Sequence, residues 1–207
     1  MEARELSIHV SRADVRGTLR APADPLGVVV LVHGSGVTRR DARIQELAAL
    51  LEESGLETLL TDLLEDYEAH DPSNVFDVDL QARRLVDVLD WLRAQPGTRG
   101  LPLGLLGTGI GTGVVLAAAA KAPGAVSAVA CCGGRPDTAS QWLPSACTPT
   151  LFISAEGEAV PDFTAIAYEH CNAPKELQRA PREAVAARAC EWLKAQLVRN
   201  RPTPVPV

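Results

Sequence analysis

The stretch GTGIGTG, Gly107 to Gly113, stands between the apolar runs PLGLLG and VVLAAAA. Glycines at a strand-to-helix turn suit two kinds of chemistry. They can expose backbone N–H groups to a phosphate, or they can hold a reactive side chain on a sharp turn. The dinucleotide pattern G-x-G-x-x-G fails here. Counted from Gly107 its last position is Thr112, and counted from Gly109 it is Val114. Cys131 and Cys132 occupy the region about 20 positions on, where an acidic residue is required. The nucleophile-elbow pattern G-x-S-x-G fits better, since Gly107-Thr108-Gly109-Ile110-Gly111 matches every position except the serine. A plain tight turn without a chemical role accommodates the same residues.

Other groups could act beside this turn. His33 in LVHGSG has the titration range of an acid–base group, although an HG dipeptide is also a structural element of a loop. His70, between Glu68 and Asp71, is an acid–base candidate or part of a solvated acidic loop. Glu158 in AEGE is a carboxylate base, a ligand contact or a surface turn residue. Cys131 and Cys132 end an apolar run, where a thiolate of lowered pKa would be a nucleophile and a buried thiol would be inert. Thr108 precedes the apex of the turn, so its hydroxyl is expected to point away from a cleft. Trp142 and Tyr168 suit core packing or a pocket wall. No His/Cys/Asp cluster has metal-ligand spacing, so neither a metal nor another cofactor is expected.

Composition narrows the class. Hydrophobic residues make up 46% of the 207 and charged ones 22%, as in a globular core. A formal net charge of -6 gives no basic footprint for nucleic acid. No apolar run is long enough for a membrane span. The five cysteines lack a paired pattern and are expected to be reduced thiols in a cytoplasmic protein. The oligomeric state is not encoded in any feature of the chain.

The elements that must position these residues follow from periodicity. RELSIHVSRADVRGTLRAP predicts an antiparallel strand pair, and GVVVLVHG a strand buried on both faces. Ile44, Leu47, Ala48 and Leu51 predict a helix closed by Gly55. Leu85, Val88, Leu89 and Leu92 predict another helix, ended by Pro96. LETLLTDL, PLGLLG, AVSAVACCGG and TPTLFISAEGE read as further strands. GTGVVLAAAAKAPG and PREAVAARACEWLKAQL read as helices. Alternating strands and helices imply an α/β domain, with a mostly parallel central sheet and helices on both faces. It is expected to span residues 1–200, with 201–207 a flexible Pro-rich tail. The carboxyl edge of such a sheet binds ligands. His33, Asp62, the segment LLEDYEAHD and the three turns GTGIG, CCGG and AEGE all map there.

In that order of elements the chain resembles the α/β-hydrolase superfamily, especially its small dienelactone-hydrolase-like members without a large lid. The resemblance runs from GVVVLVHGSG through FDVDLQARRLVDVLDWL, the glycine turn and GGRPD to EAVAARACEWL. It implies that Gly107–Gly111 is the elbow and that Gly109 stands at the nucleophile position. It makes Gly34, Ser35, Gly36 and Val37 the oxyanion-type loop, with Cys132 beside the pocket. It also places the triad acid at Glu158. The histidine belongs between the final strand and the final helix, where KELQRAPREAV has none; His170 precedes that segment, at the opposite sheet edge. The resemblance therefore implies an atypical member with a degenerate triad, binding a small molecule or peptide. It would promote a non-covalent epimerisation, isomerisation or cyclisation, as in natural-product biosynthesis. Two alternatives stay open: a non-catalytic ligand-binding or scaffolding protein, and an esterase or lactonase with a relocated cysteine or carboxylate.

Overall fold

The computed structural model describes residues 2–11, 13–157 and 162–201. Glu158 and residues 202–207 of the expected tail lie outside the described residues. The sheet has eight strands: β1 (Glu2–Val10), β2 (Ala13–Ala21), β3 (Val28–Val32), β4 (Glu57–Asp62), β5 (Leu103–Thr108), β6 (Ala128–Cys132), β7 (Thr150–Ala155) and β8 (Lys175–Ala180). Their spatial order is β1-β2-β4-β3-β5-β6-β7-β8. The pairs β1·β2 and β2·β4 are antiparallel, and every pair from β4 to β8 is parallel. The α/β-hydrolase arrangement expected from the sequence is present, and among the described residues no large lid covers the sheet edge.

Alternation along the strands builds two cores. Val28, Val30, Val32, Leu59 and Leu105 face α3 (Val78–Ala94) and α4 (Gly111–Lys121). Val29, Leu31, Leu60, Leu106 and Ile153 face α1 (Ala42–Glu53) and α6 (Val185–Arg199). Every residue of β3 is buried, as a strand covered by helices on both sides requires. Helix α4 is buried from Gly111 to Ala119, which explains its apolar surface on all sides. Asp41 caps α1 by accepting from the Arg43 amide at 3.0 Å, and Asp77 caps α3 by accepting from the Leu80 amide at 2.8 Å. Helix α4 starts at Ile110 with no side-chain cap.

Strand β8 and two helices are additional to the elements read from periodicity. The short helix α2 (Pro72–Val75) lies between β4 and α3, and α5 (Phe163–His170) precedes β8. Asp71 and Asp162 cap them. Strand β8 alternates weakly, because as an edge strand it keeps Glu176, Leu177 and Arg179 exposed.

Two charged groups shape stability in opposite ways. Arg84 of α3 donates to both carboxylate oxygens of Glu68, at 2.5 and 2.7 Å, and to the Leu63 carbonyl at 2.9 Å. Both side chains are buried, so the pair clamps the segment after β4 onto α3. The Arg84 bonds hold the Glu68 carboxyl below its ordinary range. Arg84→Ala leaves that carboxylate unpaired, and we expect a loss of about 3–5 kcal/mol at pH 7 in urea unfolding. The loss shrinks at acid pH, where the unpaired carboxyl is neutral.

Glu57, at the start of β4, is 3% exposed, and burial pushes its carboxyl up to about 7 from an ordinary 4.5. The folded chain therefore holds a proton that the unfolded chain has lost between those values. Stability falls as pH rises through that window. Glu57→Gln should be more stable than the natural chain by up to about 3 kcal/mol at pH 8, with little difference near pH 4. Denaturant titrations at the two pH values measure this directly.

Candidate functional site

Three loops meet at the carboxyl edge of the sheet. The first follows β3 and carries His33, Gly34, Ser35, Gly36 and Val37. The second is the turn from β5 into α4, and the third follows β6 as Gly133, Gly134 and Arg135. Gly109 stands at the apex of the second with φ +58°, a left-handed conformation natural to glycine. Its carbonyl accepts from the Thr112 hydroxyl at 2.7 Å, the Arg135 amide at 3.0 Å and the Thr112 amide at 3.4 Å. These bonds fasten the turn to the third loop.

The packing at Gly109 decides what the turn can carry. A Cβ added there would lie 2.9 Å from Gly34 Cα, closer than real side chains come to backbone. On the other side, a Cβ on Gly134 would fall 2.2 Å from the Gly109 carbonyl oxygen. Backbone therefore meets backbone across all three loops. Gly111 is similarly confined, because a Cβ there would meet the Val32 carbonyl oxygen at 2.4 Å. This start of α4 is packed against β3, unlike an open phosphate cradle.

Beside this contact lie two adjoining cavities of about 590 and 460 Å³. Both are lined by Arg43, Leu47, Thr108, Cys132 and Arg182. The second also reaches Gly34, Ser35, Val37, Gly109 and Ile110. The elbow and the oxyanion-type loop thus form one cleft, with Cys132 in its wall. Thr108 lines both cavities, a correction to the expectation that it would point away. The reason is that β5 ends at Thr108 itself, which leaves the residue half-buried at the sheet edge. Arg43 from α1 and Arg182 from the β8–α6 connection face this space, and no sequence pattern marked either. That connection is Pro181–Ala184, between the end of β8 at Ala180 and the start of α6 at Val185.

His33 sits at the back of the oxyanion-type loop, next to a cavity of about 100 Å³ that Ser35, Gly36, Asp62 and Ile110 also line. Its Nε2 is 2.8 Å from Asp62 Oδ1, and its Nδ1 is 3.1 Å from the Gly34 carbonyl oxygen. Both ring nitrogens thus lie within hydrogen-bond distance of protein oxygens, and the ring faces those partners. Asp62 also accepts from the Arg39 amide at 2.8 Å and from its guanidinium, which in turn donates to Glu5 at 2.9 Å. Burial pushes the Asp62 carboxyl up, but the bonds from His33 and Arg39 outweigh it and hold the group below the ordinary range. His33 belongs to a fixed network that braces the loop. Asp62 was legible only as an edge residue and Arg39 not at all, because their partners come from β1 and the loop after β3.

The remaining candidates separate. His70 is exposed, lines none of the cavities described, and its Nδ1 contacts the Asp66 carbonyl at 2.6 Å. Trp142 and Tyr168 pack against the core on the α3/α4 side, Tyr168 edge-on to Phe152 with ring centres 6.0 Å apart. His170 ends α5 at the opposite sheet edge and is exposed. Among the described residues no cluster of three or more His, Cys, Asp or Glu side chains could hold a metal ion. No helix among them is long and apolar enough to cross a membrane.

The thiols are corrected as nucleophiles. Cys131 is fully buried, and burial drives its pKa well above the ordinary thiol value. Burial, reinforced by Cys190, pushes the Cys132 thiol up to about 12. A thiolate at neutral pH requires the reverse shift. Iodoacetamide at pH 7.5 should alkylate exposed Cys147 in the native protein and leave Cys131 and Cys132 unlabelled until the chain is unfolded. Native labelling of Cys132, read by peptide mass spectrometry, would contradict this account.

No protein-family model matches the chain. Two curated proteins, from two strains of Mycobacterium tuberculosis and named "Putative phosphoribosyl transferase", are 44% identical over 149 residues. The match covers 72% of this chain but 34% of theirs, so the chain spans about a third of the length of the curated relatives it matches. Among solved structures, dienelactone hydrolase from Anabaena variabilis has a TM-score of 0.89 and 36% identity, over 95% of this chain and 98% of that one. XC6422 from Xanthomonas campestris, described as an α/β serine hydrolase without a lid, has a TM-score of 0.74 and 19% identity, over 99% of this chain and 97% of its own.

Proposed function

We propose a function from the premise that this chain belongs to the dienelactone-hydrolase family of the α/β-hydrolase fold. It is an atypical member, without the serine and histidine of a catalytic triad, that binds a small molecule or peptide in the cleft and forms no acyl-enzyme with it. The observation that carries this reading is the contact of Gly109 with Gly34. The nucleophile position has lost its side chain and also the room for one. Three further features support it. Pro181–Ala184 contains no histidine and is too short to reach across the cleft. His33 is bound on both ring nitrogens. Both thiols beside the cleft are held in their neutral form.

The chemistry left to such a cleft is stabilisation of negative charge by backbone amides at the uncapped start of α4 and in the Gly34–Val37 loop. That suits an epimerisation, isomerisation or cyclisation passing through an oxyanion. The non-catalytic binding reading is favoured by a separate observation: no described histidine facing the cleft has a free nitrogen to move a proton. Phosphoribosyl transfer, in the name of the longer relatives, is not carried over. The glycine turn lacks the dinucleotide pattern, and the match covers about a third of those relatives.

The test is a p-nitrophenyl ester assay of the natural chain and of Gly109→Ser, alongside native mass spectrometry of the purified protein. Neither form should hydrolyse ester above the buffer rate. The variant should lose about 1–3 kcal/mol of stability, from strain at positive φ alone and more from the close contact. A co-purifying small molecule would identify the ligand. Ester turnover by the natural chain would sink the proposal, and its loss on alkylation or on Glu158→Gln would locate the relocated group.

A further inference from the structure

A cavity of about 370 Å³ lies at the opposite, amino edge of the sheet, walled by Leu19, Ala21, Pro22, Pro25, Glu57 and Arg4. Its volume falls within the range of small-ligand pockets. Glu57 is 3% exposed and belongs to the strand that ends at Asp62 on the cleft side, so it is remote from the elbow. Its amide is satisfied by the Gly27 carbonyl at 2.9 Å. Among the described residues no donor bonds its carboxyl, and Arg4 acts on it only at a distance, through charge. Glu57 lines the cavity, so its carboxyl is open to whatever occupies that space. Leucine or glutamine at the first position of β4 would avoid the cost of burying an ionisable group.

The two polar groups of the cavity have opposite charge and are not in contact with each other, and the walls between them are aliphatic. A ligand that satisfies all three features has an ammonium for Glu57, a carboxylate for Arg4 and a short apolar body for Leu19 and the prolines. We propose that this amino-edge cavity is a second binding site, separate from the cleft, for a free α-amino acid with a small aliphatic side chain. The ammonium supplies the donors that Glu57 lacks. The exposed Arg4 guanidinium, at the rim, closes over the carboxylate.

The experiment is a calorimetric titration of the whole chain at pH 7.5 with L-valine, and separately with n-butylamine and with butyrate, each of which keeps one of the charges. L-Valine should bind saturably, and each single-charge probe at least tenfold more weakly. Glu57→Gln, expected to fold more stably than the natural chain, and Arg4→Ala, a change at an exposed side chain, should each weaken L-valine binding at least tenfold. Circular dichroism of both variants confirms that the fold is intact. The proposal is overturned if L-valine shows no saturable heat. It is overturned equally if both variants bind as the natural chain does, or if Arg182→Ala in the cleft abolishes the signal while Glu57→Gln leaves it unchanged. The site does not depend on the proposed function of the cleft, so ester turnover by the natural chain would leave it standing.

Discussion

Backbone-to-backbone contact of three loops at glycine is the constraint on which the carboxyl edge of this molecule depends. Gly109, Gly34 and Gly134 approach so closely that a single methylene on any of them would meet main-chain atoms. The approach is held open to no alternative, because the Gly109 carbonyl is saturated by Thr112 and by the Arg135 amide of the third loop. Residues that seem separate in function are therefore coupled mechanically. The Gly34–Val37 loop, the Gly107–Gly111 turn and the GGRPD turn are joined by backbone contacts and hydrogen bonds. The cleft beside them inherits a rigid backbone floor.

That floor is braced from behind by charge. Asp62 gathers His33, the Arg39 amide and the Arg39 guanidinium, while Glu5 takes the far side of the same arginine. A buried carboxylate in such a setting is tolerable only because each oxygen is bonded. The network links β1, the loop after β3 and the end of β4, elements far apart in sequence. It explains why a histidine in a cleft-forming loop has no catalytic freedom. Its ring is a strut between a carboxylate and a main-chain carbonyl.

The architecture was legible in the sequence wherever burial imposes a period. GVVVLVHG, LETLLTDL and the Leu85–Leu92 face carry their own signals, since strands covered on two faces and helices covered on one must repeat apolar residues in characteristic ways. Strand β8 and helix α5 were less legible. One is an edge strand with exposed charges, and the other is brief and half-exposed, so neither has a strong pattern to show. At the site, glycine at position 109 of the G-x-S-x-G frame and the histidine-free segment KELQRAPREAV could be read directly. The exposure of Thr108 to the cleft could not, because it depends on where β5 stops. Arg43, Arg182, Arg39 and Asp62 come together only through tertiary contacts, and the crowding at Gly109 is a property of a neighbouring loop.

On the proposed reading, a glycine at the elbow and a histidine-free β8–α6 connection have a joint physical logic that neither has alone. A serine at a positive-φ turn is strained, and that strain is offset by function only while a base activates the hydroxyl. With Pro181–Ala184 as the connection between β8 and α6, a hydroxyl at position 109 would find no histidine there, and glycine takes the positive-φ turn without strain. The Gly34 Cα lies 2.9 Å from where a Cβ at position 109 would stand. The thiols agree with this reading, since Cys131 is buried and burial raises the pKa of both it and the half-buried Cys132 in the cleft wall. Serine at position 109 would meet a closed backbone, and the proposed chemistry is of a kind that backbone amides support without a covalent step.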